Sequence, residues 1–239
     1  MQITTKGIVL SSLKYGDTSL ISRIYTATDG LKSYLLKGIL TSKKGKLKAA
    51  YFQPLMQLEI VANHKNKGTL ESIREVKVEY HYQSLHTEMT KNSIVLFLAE
   101  MLGNSIHEEE PNEELFQFLE ASLQWLDNHN KIANFHLYFL LNLSKYLGFY
   151  PDVENKSAAY FDLIDGVLTD HPSGTAFIDR ENLVLFKQLL GSNFDTMHFI
   201  TMKKTDRQEL LKFLVLYFEL HLQGFRKPRS LAVLNEVFS

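Results

Sequence analysis

The chain has 239 residues, of which 45% are hydrophobic and 22% are charged, and these values are ordinary for a globular protein. It contains no cysteine, which excludes disulfide bonds and any zinc site built on thiolates. Apolar runs such as residues 94–99 are too short to span a bilayer, and the N-terminus lacks the pattern of a signal peptide. We therefore predict a cytoplasmic protein that does not associate with membranes.

The charge is divided unevenly along the chain. Up to residue 80 there are 13 Lys and Arg against 6 Asp and Glu, whereas the remainder has 13 against 21. One interpretation is a solvated surface whose charge happens to be unevenly distributed. The other is that the basic first part faces a polyanion, because Lys and Arg neutralise phosphates in nucleic-acid binding that is independent of sequence.

The first 80 residues are predicted to form short strands separated by turn signals. Gly16 and the Asp29-Gly30 dipeptide mark the early turns. Lysines surround Gly45 in a later loop. Five short strands fit a small closed or half-closed barrel, because closure removes exposed strand edges. The predicted strands cover residues 7–10, 19–26, 31–37, 55–61 and 69–76.

From residue 81 onward the apolar residues follow the helical period of 3.6. Residues 131–147 are apolar almost all round, which is typical of a helix at the centre of a bundle. Residues 160–168 instead predict a small hairpin that turns at Asp165-Gly166. We place helices at residues 84–105, 113–127, 131–147, 181–190, 205–223 and 231–237.

Ordered motifs along nearly the whole chain resemble the RecO family of DNA-repair and recombination mediator proteins. Each motif is weak alone, but together they keep the order of the family. They are residues 6–10, 15–19, 25–31, 37–38, 42–47, 52–55, 68–70 with Glu75, 147–152 and 229–234. The resemblance implies an α+β protein, with an N-terminal OB-fold β-barrel at 1–80 and a mainly α-helical domain at 81–239.

The resemblance also implies a function without a catalytic centre or cofactor. Such proteins bind single- and double-stranded DNA without sequence specificity and anneal complementary strands. With RecR they help load RecA onto DNA covered by single-strand-binding protein. The resemblance thus implies DNA, RecR and single-strand-binding protein as partners, and a nucleoid-associated location.

The segment at 152–178 departs from the family pattern. Many members carry a four-cysteine zinc site there, but this chain has no thiols. Asp162, Asp165, Asp170 and His171 are conceivable ligands, yet the hairpin explains the segment better. We therefore predict no metal and a small apolar core built on Tyr160, Phe161, Leu163, Val167 and Phe177.

Binding of single strands requires cations along the backbone and aromatic faces for base stacking. Tyr25 and Tyr34 are the base-stacking candidates, although aromatic residues in strands more often belong to the core. Tyr15 and Tyr51 are further aromatics of this region that are available for stacking. Lys227 and Arg229 would either extend a DNA path or meet an acidic peptide. The predicted DNA-binding cations are Lys14, Arg23, Lys32, Lys37, Lys43, Lys44, Lys46, Lys48, Lys227 and Arg229.

Patterns typical of enzymes are absent from the sequence. There is no phosphate-binding or dinucleotide-binding glycine pattern, no His-Glu-x-x-His and no Gly-x-Ser-x-Gly. Two hypotheses remain. The chain is either a DNA-binding and annealing mediator or a non-enzymatic protein-interaction adaptor whose barrel is vestigial.

Overall fold

The computed structural model describes residues 1–41, 47–65 and 70–238, and the chain divides into two compact units, Met1–Asp127 and Asn128–Ser239. In the described part of the chain, no helix combines the length and apolar content needed to cross a membrane. The predicted division near residue 80 stays a prediction.

The first unit is built on a five-stranded antiparallel sheet with the strand order β3-β2-β1-β4-β5. A long first strand organises it, because residues 2–8 pair with β4 and residues 7–15 pair with β2, the second pairing containing a bulge between Val9 and Ser11. The strands are β1 (Gln2–Tyr15), β2 (Ser19–Thr26), β3 (Gly30–Leu36), β4 (Gln57–Asn63) and β5 (Ser72–Val78).

The sheet curls so that its two edges approach each other. Leu35 N donates to Glu71 O at 2.9 Å and Glu71 N donates to Ser33 O at 2.8 Å, which links β3 to the residue before β5. These two bonds do not close the sheet, so the predicted OB barrel is seen only in part. The enclosed core contains Val9, Ile24, Tyr34, Leu36, Phe52, Leu58 and Ile60.

Helices α1 (Met89–Ser105) and α2 (Glu113–Asn128) follow the sheet. Gln57 Nε2 donates to Glu120 O at 3.1 Å, and the Lys6 ammonium lies 3.1 Å from the carboxylates of both Glu79 and Glu120. The rings of Tyr25 and Phe116 lie 6.2 Å apart. The start and middle of α2 therefore pack against β1, β2 and β4.

The second unit contains helices α3 (Phe135–Tyr146), α4 (Arg180–Leu190), α5 (Lys204–His221) and α6 (Leu231–Val237). The residues of α3 from Phe135 to Leu141 are all buried, and α3 packs against α4 and α5. The prediction of a central buried helix is confirmed.

A three-stranded sheet with the order β7-β6-β8 occupies the segment that departs from the family pattern. Its strands are β6 (Tyr160–Asp162), β7 (Val167–Thr169) and β8 (Phe177–Asp179). The predicted hairpin is confirmed, with Gly166 at a φ of +70° in the turn, whereas β8 was not predicted. Of the predicted small core, Phe161 and Leu163 are fully buried.

An α+β fold is confirmed by this arrangement of an N-terminal antiparallel sheet followed by six helices in the described residues.

Candidate nucleic-acid interface

One end of the five-stranded sheet carries exposed lysines. Lys14 of β1 pairs with Leu20 of β2, which pairs with Leu36 of β3, so Lys37 lies only one residue beyond this row. Gly38 N donates to Ser19 Oγ at 3.2 Å and Leu40 N donates to Thr18 O at 2.9 Å. These bonds hold the turn after β3 against the turn between β1 and β2. We call residues 13–19 and 37–41 the basic end.

Three of the predicted cations are exposed at or near this end. Lys14 and Lys37 belong to the basic end. Lys48 lies near it, because it precedes a short 3₁₀ helix, Ala49–Phe52, that is bonded to β1. The bond runs from Ser12 Oγ to Phe52 O at 2.8 Å. Lys48 Nζ lies 5.8 Å from the centre of the Tyr51 ring, and no ion pair within residues 1–41, 47–65 and 70–238 involves these three ammonium groups. They are therefore available for an external anion.

The other lysines of the predicted loop, Lys43, Lys44 and Lys46, lie outside the described residues. In the chain they connect Thr41 of the basic end to Leu47 and Lys48. Their assignment to DNA stays a prediction.

Arg23 and Lys32 are engaged within the protein. Arg23 donates to the carbonyl oxygens of Gly103 at 3.0 Å and Ile106 at 3.4 Å, and burial lowers the pKa of its guanidinium. Lys32 is only 8% exposed and pairs with Glu109 at 2.8 Å. It lies opposite the core residue Ile24 rather than on an outward polar face. The charge of Lys32 is thus paired with a carboxylate, whereas the guanidinium of Arg23 is held by backbone carbonyl groups.

The prediction that Tyr25 stacks on bases does not agree with its burial. Its ring is covered and packs near Phe116, and its hydroxyl donates to Asn112 O at 3.3 Å. Burial raises the pKa of Tyr25 to about 12, an effect that this hydrogen bond partly opposes.

Tyr34 is also buried, within a polar network inside the sheet. Its hydroxyl lies 2.7 Å from His64 Nε2, and His64 Nδ1 lies 3.2 Å from Asp29 Oδ1. Burial is the largest cause of the raised pKa of Tyr34. The side chain closes the core and has no exposed face for a base.

In the second unit, Lys227 and Arg229 are both exposed on the segment between α5 and α6. Lys227 forms an ion pair with Glu219 at 2.9 Å, which compensates its charge in part. Arg229 has no ion pair to a described residue.

No group of three or more metal-binding side chains occurs among the described residues. Asp162, one of the conceivable ligands, instead accepts hydrogen bonds within the protein. Its carboxylate accepts hydrogen bonds from Ile164 N and Ser173 Oγ, both at 2.8 Å. This buried carboxylate joins the turn after β6 to the segment before β8.

Three apolar side chains are exposed at the basic end, namely Leu13, Tyr15 and Leu40. Tyr15 was noted in the sequence as an available aromatic but not chosen for base stacking, and Leu13 and Leu40 were not considered. The sequence offered one signal for Tyr15, because it lies between Lys14 and the turn glycine Gly16. For Leu13 and Leu40 there was none, because apolar residues beside strands are ordinarily assigned to the core.

Comparison with known families matches nearly the whole chain. Residues 1–82 match the family described as Recombination protein O N terminal, and residues 86–231 match Recombination protein O C terminal.

Curated relatives match over the full length. The chain is 54% identical over 238 residues to the DNA repair protein RecO of Christiangramia forsetii and 50% identical over 239 residues to that of Flavobacterium psychrophilum, and each comparison covers 100% of both chains. It is 39% identical over 238 residues to the DNA repair protein RecO of Bacteroides fragilis, covering 98% of each chain.

Proposed function

The chain belongs to the RecO family of DNA-repair proteins, and we propose that it acts in DNA repair as a non-enzymatic recombination mediator. In this role it binds single- and double-stranded DNA without sequence specificity and anneals complementary strands. With RecR it helps load RecA onto DNA covered by single-strand-binding protein. This activity places it in the cytoplasm, at the nucleoid.

The observation that carries the proposal is the grouping of exposed, uncompensated lysines at and beside the basic end. Lys14, Lys37 and Lys48 are exposed, and the loop that adds Lys43, Lys44 and Lys46 connects directly to them in the chain. A surface of this kind attracts phosphates through charge alone, because binding releases counterions from the nucleic acid. It therefore supports affinity for DNA of any sequence.

The distribution of charge supports the same proposal. The first 80 residues carry an excess of seven positive charges, and several of the carboxylates in this part are already paired with cations. A field of one sign accelerates encounter with a polyanion. Annealing requires that a protein hold two strands without reading their bases, which fits contacts to phosphates rather than base edges.

The alternative function is an adaptor that binds proteins only. The exposed apolar side chains beside the lysines favour it, because an exposed apolar patch often marks a protein interaction site. The two functions differ in one property. A mediator binds DNA with an affinity that depends on salt, and an adaptor does not bind DNA.

Fluorescence anisotropy with labelled oligonucleotides of unrelated sequences, single-stranded and duplex, distinguishes them across a salt series. The mediator predicts similar affinities for all sequences and a linear fall of log K with log salt concentration. No binding at low salt would reject DNA binding and favour the adaptor. If binding is found, annealing of complementary labelled strands is the next measurement.

A further inference from the structure

Tyr15 is the tyrosine of the basic end. It is the last residue of β1, its side chain is 54% exposed, and no described residue forms a hydrogen bond or a ring contact with that side chain. Tyr25 and Tyr34, in contrast, are buried and bonded. The ring of Tyr15 is therefore accessible to a ligand, and tyrosines, with an apolar ring and a polar hydroxyl, are enriched at binding interfaces.

Two further exposed apolar side chains belong to the basic end. Leu13 lies two residues earlier on the same face of β1, because side chains alternate along a strand, and it is 67% exposed. Leu40 is 42% exposed, and its backbone N–H donates to Thr18 in the turn that follows Tyr15. We call Leu13, Tyr15 and Leu40 the apolar patch. It lies on the basic end itself.

Cations border the apolar patch. Lys14 is the neighbour of both Leu13 and Tyr15 in β1, with its side chain on the opposite face at the end of the strand. Lys37 follows Leu36, the β3 residue that pairs with Leu20. Both ammonium groups are exposed. In the proposed DNA-binding role the polyanion at this end is a nucleic acid, and a single strand whose phosphates reach these ammonium groups has unpaired bases that can cover the Tyr15 ring.

We propose that Tyr15, supported by Leu13 and Leu40, is a stacking platform for unpaired bases and gives the basic end a preference for single-stranded over duplex nucleic acid. The inference rests on the proposed DNA-binding function. A duplex presents phosphates to the lysines but keeps its base faces stacked inside. Only a single strand therefore uses the ring, whereas both forms use the lysines.

The test compares Tyr15→Ala with wild type in the full chain, using a labelled oligothymidylate and a mixed-sequence duplex of the same length. We expect the loss of one base-stacking contact in Tyr15→Ala to weaken single-strand affinity by about 5- to 160-fold. Duplex affinity stays at the wild-type value. Tyr15→Phe, which keeps the ring, retains single-strand binding. Phe199→Ala is the matched control, because it removes an exposed aromatic ring of the second unit.

A spectroscopic readout separates stacking from a structural role. Trp125 is the single tryptophan of the chain, so a Tyr15→Trp substitution in a Trp125→Phe background reports from position 15 alone. We expect oligothymidylate to quench its emission and duplex to leave it unchanged.

Two results would overturn the inference and leave the proposed function intact. They are wild-type single-strand affinity in Tyr15→Ala, and an equal loss for single-stranded and duplex DNA. If the wild-type chain binds neither form, the proposed function fails and the inference fails with it.

Discussion

The ammonium group of Lys91 is buried and donates a hydrogen bond of 2.8 Å to the backbone carbonyl oxygen of Asp127. It also donates to Ser84 Oγ at 2.6 Å. The carboxylate of Asp127 in turn accepts hydrogen bonds from the backbone N–H groups of Gln83, Ser84 and Leu85. The segment that leaves the sheet is thereby attached to the end of α2, within the first unit.

Replacing Lys91 should destabilise this attachment. In Lys91→Met the side chain keeps its length, but Ser84 Oγ and the Asp127 carbonyl lose a charged donor in a buried position. Hydrogen bonds to charged groups contribute roughly 1.5–3 kcal/mol, so we expect a loss of that size in the free energy of unfolding, measured by urea denaturation. Lys131→Met, at an exposed position, is the control and should leave stability nearly unchanged. Equal stability of the two variants would contradict the prediction.

Asp127 should make stability depend on pH. Burial alone would raise the pKa of Asp127, but the backbone hydrogen bonds from residues 83–85 outweigh it, so the pKa lies below its ordinary value. A carboxyl group whose pKa is lower in the folded state stabilises the fold above its unfolded pKa of about 3.9, and this contribution is lost as the pH falls through the folded pKa.

We therefore expect Asp127→Asn to be less stable than wild type at pH 7 and to lose less further stability on acidification. Urea unfolding across a pH series measures both effects. Asp195→Asn, at an exposed position, should follow the wild-type curve. Curves of wild type and Asp127→Asn that stay parallel down to the lowest pH would show that Asp127 does not carry this dependence.

Asp162 should stabilise the small sheet of the second unit. Asp162→Ala leaves the N–H of Ile164 and the hydroxyl of Ser173 without their acceptor. Ile164 and Ser173 are exposed, so water can replace part of what their donors lose. We expect a stability loss of about 1 kcal/mol and faster amide hydrogen exchange in residues 163–175, measured by mass spectrometry of peptides. Asp165→Ala, at an exposed position in the same turn, is the matched control, and identical exchange in both variants would refute the role of Asp162.

Charge removal at the basic end should weaken DNA binding through salt-dependent contacts. The variant Lys14→Gln/Lys37→Gln/Lys48→Gln removes up to three phosphate contacts, so the slope of log K against log salt concentration for single strands should decrease in magnitude by about 2. The triple variant Lys131→Gln/Lys145→Gln/Lys212→Gln changes the net charge equally at exposed positions of the second unit. A similar decrease in both variants would show that net charge, rather than this surface, determines affinity.

The loop assignment has its own test. Reversal of Lys43, Lys44, Lys46 and Lys48 to Glu should abolish DNA affinity while the protein stays folded, as checked by circular dichroism. Unchanged affinity in this variant would reject the assignment of the loop to phosphate contact.

Local sequence patterns predicted much of the fold. Strand β2 was predicted at the observed residues, because its apolar and polar side chains alternate and turn signals bound it on both sides. The Asp29-Gly30 turn was predicted from the dipeptide, and Gly30 has the expected positive φ of +61°. Helix α6 was also predicted with its observed bounds, after Ser230.

Other elements depend on partners that no local pattern reveals. Strand β1 is much longer than residues 7–10, because residues 2–8 pair with β4 and residues 7–15 pair with β2. Helix α1 begins at Met89 rather than near residue 84, because residues 83–85 are bonded to Asp127, more than 40 residues later.

The sequence by itself determined the family, the α+β class, the excess of positive charge in the first 80 residues and the absence of thiol ligands, since these depend on residue identity and order. Only the tertiary structure decided which side chains remain accessible. Arg23 is bonded to carbonyl groups 80 and more residues later, and Tyr25 to one 87 residues later. Tyr15 and Lys14 are exposed at the end of β1. Burial is a property of contacts between distant segments, and so strand alternation alone does not identify the surface that faces a ligand.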